Sequence, residues 1–334
     1  MRILILLLLT NWITLEALGE RITFHLIIVS DTDDATIGEG CQKNIDRLTT
    51  HFKPIAKHLK MSYKSYVLKG DQVNGDSIIY LLKNKVKIKR REDIVVFHYS
   101  GHGTNRGSKD VWPRFLIPNG FKSSLTKIHG ILETKKPKFL LTLADCCNGA
   151  SRRRPTPRIE IEARNQPVTI LSKKNYYKLF QEAEGDIIAC ASRKGAVSYY
   201  DSYLGGYFSL GFCEAMTEEV NALNTRMPIS WESIFLLTEE YTSNLATGWG
   251  RRQQPQIKIN LKKETDQIPI FGEEPTNEIE VTIYQVKKGD TLSKIAKTYK
   301  ITVVDLKKWN NLKSSLIRRK QKLKIYLSPN SFDE

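Results

Sequence analysis

The chain has 334 residues, a formal net charge of +16, 40% hydrophobic residues and 26% charged ones. That mixture excludes a disordered chain and a multi-spanning membrane protein, and it leaves room for two or three globular domains. The charge is uneven: residues 281–334 hold 13 Lys and Arg against 4 Asp and Glu, while 264–280 hold six acids and no base.

The chain opens on Met1-Arg-Ile-Leu-Ile-Leu-Leu-Leu-Leu, one basic residue followed by an apolar core, and small residues follow up to Gly19. This pattern is expected to be a secretory signal ending at Gly19, with an uncleaved anchor as the alternative. No later stretch has the length and hydropathy of a membrane span. Five cysteines, an odd number in an exported chain, imply at least one free thiol, and their spacing fits no zinc pattern.

From Ile22 onward apolar, β-branched runs alternate with helical patterns. Strands are expected at 22–30, 61–68, 93–99, 138–143, 186–191 and 256–261. Helices are expected at 41–59, 76–85, 124–135, 175–184, 207–216 and 231–245. Near-continuously apolar strands alternating with helices predict a mainly parallel sheet covered on both faces. Residues 150–174 form a long polar loop with Arg152-Arg-Arg-Pro, and 264–280 read as an acidic linker. Beyond it, strand 282–286, helices 292–299 and 303–310 and strand 322–326 make a small separate unit.

Two short words stand at strand ends, where parallel sheets bind ligands. His98-Tyr-Ser-Gly-His-Gly follows the third strand, and Leu143-Ala-Asp-Cys-Cys-Asn-Gly follows the fourth. A histidine and a cysteine brought to one sheet edge form a thiol nucleophile with its proton partner, and glycines beside the histidine admit a substrate carbonyl.

These words resemble the histidine and cysteine motifs of the caspase–metacaspase clan over residues 21–261. The separation of 45 from His102 to Cys147 is near the roughly 50 of caspases. The resemblance implies a caspase-like three-layer αβα sandwich and a cysteine endopeptidase with His102 and Cys147 as the catalytic pair. It implies Gly103 and Cys147 as backbone oxyanion donors. Asp145, two before the nucleophile, is expected to favour Arg or Lys at the cleaved bond, with Asp31 as the second acid, chosen from Asp31, Asp33 and Asp34 after the first strand. Tyr200 and Asp201 are expected in the wall of the substrate loop. His98, Cys146 and Cys190 read as structural, and Asp31 also suits a turn. Asn148-Gly149-Ala150 departs from the family's usual His-Ser-Gly. Self-cleavage is expected at Arg152, Arg153 or Arg158, since Pro155 disfavours the bond after Arg154. Some relatives need calcium, bound by acidic clusters; no such spacing stands out here, so calcium is left open, and no other cofactor is expected.

Tyr284-Gln-Val-Lys-Lys-Gly-Asp-Thr-Leu and the later Asn310-Asn-Leu resemble a LysM domain. The resemblance implies a small βααβ fold that binds the N-acetylglucosamine backbone of peptidoglycan or chitin through Gly289, Asp290, Thr291, Leu292, Asn311 and Leu312. Arg319-Lys320-Gln321 stands where the family often has Gly before Gln.

The expected organisation is a signal at 1–19, a caspase-like domain at 20–263, a linker at 264–280 and a LysM domain at 281–328. The expected protein is secreted or held in the periplasm or cell envelope, and acts on a protein or peptide with Arg or Lys at the cleaved bond. Export favours an anionic envelope polymer over nucleic acid, for which no motif is present. A catalytically inactive wall-binding protein and a peptidoglycan amide hydrolase are the alternatives.

Overall fold

A computed structural model describes residues 22–117, 123–149, 172–221, 229–262, 280–299, 301, 303–310, 312 and 317–327. The signal segment, Arg152, Arg153, Arg158, nearly all of the acidic linker and Asn311 lie outside the described residues.

In chain order the larger unit contains β1 (Thr23–Ser30), α1 (Gly38–His58), β2 (Ser62–Lys69), α2 (Gly75–Tyr80), β3 (Ile94–Ser100), β4 (His102–Thr104), β5 (Arg114–Leu116), α3 (Leu125–Glu133) and β6 (Phe139–Asp145). Then come α4 (Lys173–Tyr177), β7 (Gly185–Cys190), β8 (Tyr200–Asp201), β9 (Gly205–Gly206), α5 (Tyr207–Asn221), α6 (Trp231–Thr247) and β10 (Gln256–Leu261). The helices after α2 and α4 widen into single π turns at Leu81–Lys85 and Lys178–Glu182, within spans that read as continuous helices from sequence.

The six-stranded sheet runs β10-β7-β6-β3-β1-β2, with only β10 antiparallel. Every residue of β1, β3 and β6 is buried, because helices cover both faces. Alternate residues feed two cores. Phe24, Leu26 and Ile28 pack with Leu48 and Phe52 of α1, Phe208 and Phe212 of α5 and Trp231 of α6. Ile27 and Val29 pack with Ile78, Leu125 and Leu132 on the other face. Each fully buried side chain of this kind contributes about 1.5–3 kcal/mol from transfer alone.

Register positions the site. Ser30 pairs with Ser100, and Ser100 with Asp145, so β1, β3 and β6 end on one line. The order reverses at β1, which lies between β2 and β3. The loops carrying Asp31–Asp34, His102 and Cys147 leave together from that reversal point.

The C-terminal unit contains β11 (Glu280–Gln285), α7 (Leu292–Thr298), α8 (Val303–Trp309) and β12 (Lys322–Leu327), with β11 and β12 antiparallel. Val286, Leu292, Ile295, Leu306 and Leu323 form its core, which is continuous with Ala215 of α5 and Leu237 of α6. The Ser293 N–H donates to Glu240 Oε1 at 3.2 Å, so the unit is docked on the α5–α6 layer. Among the described residues no helix is long and apolar enough to cross a membrane.

Candidate active site

Cys147 lies two residues past the end of β6 and is 1% exposed. Its sulfur accepts from the Ser198 N–H at 3.4 Å, and Ser198 O and Oγ each lie 3.8 Å from it. Ser198 escaped the sequence reading because it lies 51 residues downstream and belongs to no motif. Among the described residues the Cys147 N–H has no hydrogen-bond partner.

Gly103 supplies the facing backbone. It pairs with Phe115 across the β4–β5 hairpin, but the Phe115 N–H donates to Ser123 O instead. The pair is therefore of the non-hydrogen-bonded kind, and the Gly103 N–H faces away from β5. A Cβ on Gly103 would overlap the Cys147 carbonyl oxygen and crowd Cys146 Sγ, so only glycine permits this approach.

The segment after the thiol is braced rather than loosened by its departure from the family text. Asn148 is 0% exposed. Its Nδ2 donates to Val111 O at 2.9 Å and Ser192 O at 3.1 Å, and its Oδ1 accepts from Asn105 Nδ2 at 2.7 Å. Its N–H reaches Ala196 O at 3.1 Å, and its carbonyl accepts from the Gly195 N–H at 2.7 Å. Gly149 abuts the carbonyls of Gly195 and Ala196 and leaves no room for a side chain. A buried amide with these partners fixes its loop in one conformation.

His102 opens β4 and is partly exposed. Its Nε2 lies 3.0 Å from Asp34 Oδ2. Its carbonyl oxygen accepts from the Tyr99 hydroxyl at 2.9 Å, which anchors the backbone beneath the ring. Burial opposes the Asp34 charge. Hydrogen bonds from the Thr36 side chain and backbone, His102 beside it and the Ile37 N–H outweigh that, and the carboxyl is held below its ordinary value. No local pattern in the sequence pairs Asp34 with His102; of the same acid run, Asp31 is the residue expected in the pocket.

Asp31 is 3% exposed, and its N–H donates to Ser100 O at 2.9 Å. Burial, then the Asp34 and Asp33 charges, push its carboxyl up from 3.8 to about 6. Asp145 is 0% exposed and accepts from the Ser209 N–H at 2.9 Å and Oγ at 2.8 Å, close to the first turn of α5. His98 Nε2 lies 2.8 Å from the same Ser209 Oγ. Burial, reinforced by Arg47, drives the His98 imidazole down to about 3, so it stays neutral and structural.

Tyr200 and Asp201 pack inward. The Tyr200 hydroxyl donates to Thr36 O, and Asp201 Oδ1 accepts the N–H groups of Tyr203 and Leu204 at 2.8 and 3.0 Å. Their neighbours Ser202 and Tyr203 instead line an open cavity of about 610 Å³ with Thr32, Gly38, Glu39, Gln42 and Lys43.

All five cysteines are buried and none forms a disulfide. Burial raises Cys190 and Cys213 to about 12, as inert core thiols. Among the described residues no group of three or more His, Cys, Asp or Glu is placed to hold a metal ion.

In the C-terminal unit Gly289 has φ +85°, Asp290 Oδ2 accepts from the Lys287 N–H and the Tyr284 hydroxyl, both at 2.7 Å, and Thr291 caps α7 by accepting from the Lys294 N–H at 3.2 Å. Leu292 is buried, and Leu312 is half-buried against the same core.

Known families match both units of this architecture. The LysM domain family matches residues 284–325. The cell wall-binding protein YocH of Bacillus subtilis is 40% identical over 79 residues, covering 21% of this chain and 28% of that relative's length. The crystal structure of caspase-1 from Spodoptera frugiperda superimposes with a TM-score of 0.45 at 11% identity, covering 72% of this chain and 88% of the other. The caspase domain family matches residues 27–265, and the chain therefore belongs to the caspase-domain family, here followed by a LysM domain.

Proposed function

We propose that the protein is an exported cysteine endopeptidase that cleaves after Arg or Lys and is tethered to an N-acetylglucosamine polymer of the cell wall. The observation that carries this reading is the pair of backbone donors beside the thiol. The Cys147 N–H has no partner among the described residues, and the Gly103 N–H turns out of its hairpin. Two such donors next to a nucleophile suit the oxyanion of a tetrahedral intermediate.

In this reading the Cys147 thiol passes its proton to His102, and sulfur attacks the peptide carbonyl carbon. The carbonyl oxygen gains the charge and is held by the N–H groups of Gly103 and Cys147. His102 returns the proton to the leaving amine as the C–N bond breaks, which leaves a thioester. Water, deprotonated by His102, then hydrolyses it and restores the thiol.

Asp31 supports the basic preference. A carboxyl raised to about 6 by burial and two like charges gains from an incoming cation. Asp145 backs the same region from a fully buried position. Self-cleavage at Arg152, Arg153 or Arg158 belongs to this proposal. Wall attachment rests on the LysM domain, through Gly289, Asp290, Thr291, Leu292, Asn311 and Leu312, and on the name of the Bacillus relative.

Cys147→Ala tests the chemistry. Cleavage of Arg- and Lys-terminated fluorogenic peptides is expected to fall by at least about 10³-fold. Intact mass is expected to show one uncut chain in the variant and fragments ending at the loop arginines in the wild type. Undiminished peptide cleavage by the variant would sink the proposal.

A further inference from the structure

The acid run after β1 contains one carboxylate with two separate tasks. Asp34 Oδ1 accepts from the Thr36 N–H at 2.8 Å, the Thr36 hydroxyl at 2.5 Å and the Ile37 N–H at 3.0 Å. Its own carbonyl accepts from the Gly38 N–H at 2.8 Å, which leads the chain into α1. These bonds fix the carboxylate plane. The second oxygen, Oδ2, is left to reach His102 Nε2 at 3.0 Å.

We propose that Asp34 is a positioning residue for His102: it holds the Nε2 proton, leaves Nδ1 as the nitrogen that exchanges a proton with Cys147, and stabilises the imidazolium formed in that exchange. The proposal rests on the peptidase reading of Cys147 and His102. An imidazole has two tautomers, and a carboxylate on one nitrogen selects the tautomer that is basic at the other.

The surrounding charges fit. Asp31 and Asp33 share the loop with Asp34, and Asp145 lies buried at the end of β6, so the neighbourhood is acidic. No lysine or arginine hydrogen-bonds or ion-pairs with Asp34 among the described residues, and His102 is the cationic partner the fold delivers. When the S–H bond of Cys147 breaks and the Nδ1–H bond of His102 forms, the new positive charge arises against Asp34. No other group need change its protonation.

The competing explanation is that Asp34 only shapes the turn into α1. Asp34→Asn separates the two. The amide oxygen retains the Oδ1 bonds to Thr36 and Ile37, while its NH2 replaces Oδ2 and cannot accept the Nε2 proton. Asp34→Ser is the second variant: its hydroxyl can cap the same N–H groups but is too short to reach the imidazole.

Both variants are expected to unfold at a temperature close to wild type and to lose roughly 10²–10⁴-fold in kcat with little change in KM. The acidic limb of the kcat/KM profile is expected to move to lower pH, because the imidazolium loses its carboxylate and His102 becomes a free base more readily. A second readout needs no substrate: the rate of Cys147 alkylation by iodoacetamide at neutral pH, mapped by mass spectrometry, is expected to fall at least several-fold.

Wild-type kcat, pH profile and alkylation rate in Asp34→Asn would overturn the proposal and leave the peptidase reading standing. A raised KM for Arg peptides with kcat unchanged would also overturn it, by assigning Asp34 to the substrate pocket. A wild type that cleaves nothing, with alkylation still slowed in the variant, would overturn the peptidase reading and keep the coupling of Asp34 to the thiol.

Discussion

At the carboxyl edge of the large sheet the motif residues leave backbone donors outside the ladders, whereas in the LysM domain the motif residues are consumed by its own fold. Among the described residues the Cys147 N–H has no hydrogen-bond partner, and the Gly103–Phe115 pair is not hydrogen-bonded. Asp290 is taken up by Lys287 and Tyr284, Thr291 by α7, and Leu292 by the core. The same kind of sequence match thus has different content in the two places. At the sheet edge it marks backbone groups outside the strand ladders; in the LysM domain it marks side chains that also hold the turn into α7. The first turn of α7 meets α6, where the Ser293 N–H donates to Glu240.

Among changes that set the two regions against each other, Gly103→Ala gives the largest. The added methyl meets Cys147 O and Cys146 Sγ, and Cys147 is held through its sulfur at Ser198, so the hairpin must retreat. Loss of one oxyanion donor costs about 10²–10³-fold in kcat. We expect that loss together with about 1–3 kcal/mol of destabilisation from overpacking, read by peptide cleavage and thermal unfolding. A variant with normal kcat would show that Gly103 is not an oxyanion donor. Gly289→Ala in the LysM domain makes the contrast. Its φ of +85° strains any L side chain, so it should lower stability and leave peptide cleavage unchanged.

Asp31→Asn sharpens the sheet-edge half. The folded carboxyl titrates near 6 against an ordinary 3.8, so the folded state binds this proton more tightly than the unfolded one. Its contribution to stability is therefore present below about pH 4 and lost as pH rises to about 6. Above pH 6 the amide should stabilise the fold, by about 1 kcal/mol once solvent screening is allowed for. It should also reduce kcat/KM for Arg peptides by about 10- to 100-fold, the worth of a charge-assisted hydrogen bond. In the wild type the preference for Arg over a neutral residue should fade as pH drops through 6. A preference that is flat across that range would remove Asp31 from the pocket.

Leu237→Arg breaks the contact between the two units. Leu237 is 2% exposed in the cluster shared with Val286, Leu292 and Leu306. A guanidinium there should cost about 2–3 kcal/mol and release the LysM domain. Amide exchange should quicken across α7 and α8 while β1, β3 and β6 keep their protection. Equal quickening in the central strands would mean that the two units unfold as one.

Much of this was legible in the sequence, for identifiable reasons. Runs such as Ile94–Phe97 and Phe139–Leu143 are apolar on both faces, which marks central parallel strands before any contact is known. His102 and Cys147 announce themselves by standing where those runs stop. The two small hairpins, β4–β5 and β8–β9, did not show, since two- and three-residue strands carry no period. Asp34 was visible as one of three acids, but its link to His102 depends on β1 and β3 ending in register, which no local pattern encodes. Tyr200 and Asp201 were expected in the wall of the substrate loop. Their side chains turn inward, and Ser202 and Tyr203 reach the cavity.

The departure at Arg319-Lys320-Gln321 has a physical consequence in the LysM domain. Lys320 has φ +68°, the left-handed region where a Cβ is strained and glycine is not. Its N–H donates to Val286 O at 2.7 Å, and the Val286 N–H donates to Gln321 O at 2.9 Å, so the conformation is held by the pairing of the two chain segments. Lys320→Gly relieves the strain but adds freedom to the unfolded chain, and the two effects oppose each other. The relief is the larger at a φ this positive, and a net gain of roughly 0.5 kcal/mol is expected in the LysM domain. The sheet-edge chemistry should not respond, because this turn touches neither His102 nor Cys147. A chemical denaturation series on the full chain, following Trp309 fluorescence for the LysM domain and peptide cleavage for the sheet edge, checks both halves. Loss of stability in Lys320→Gly would mean that the lysine side chain holds a contact that outweighs its backbone strain.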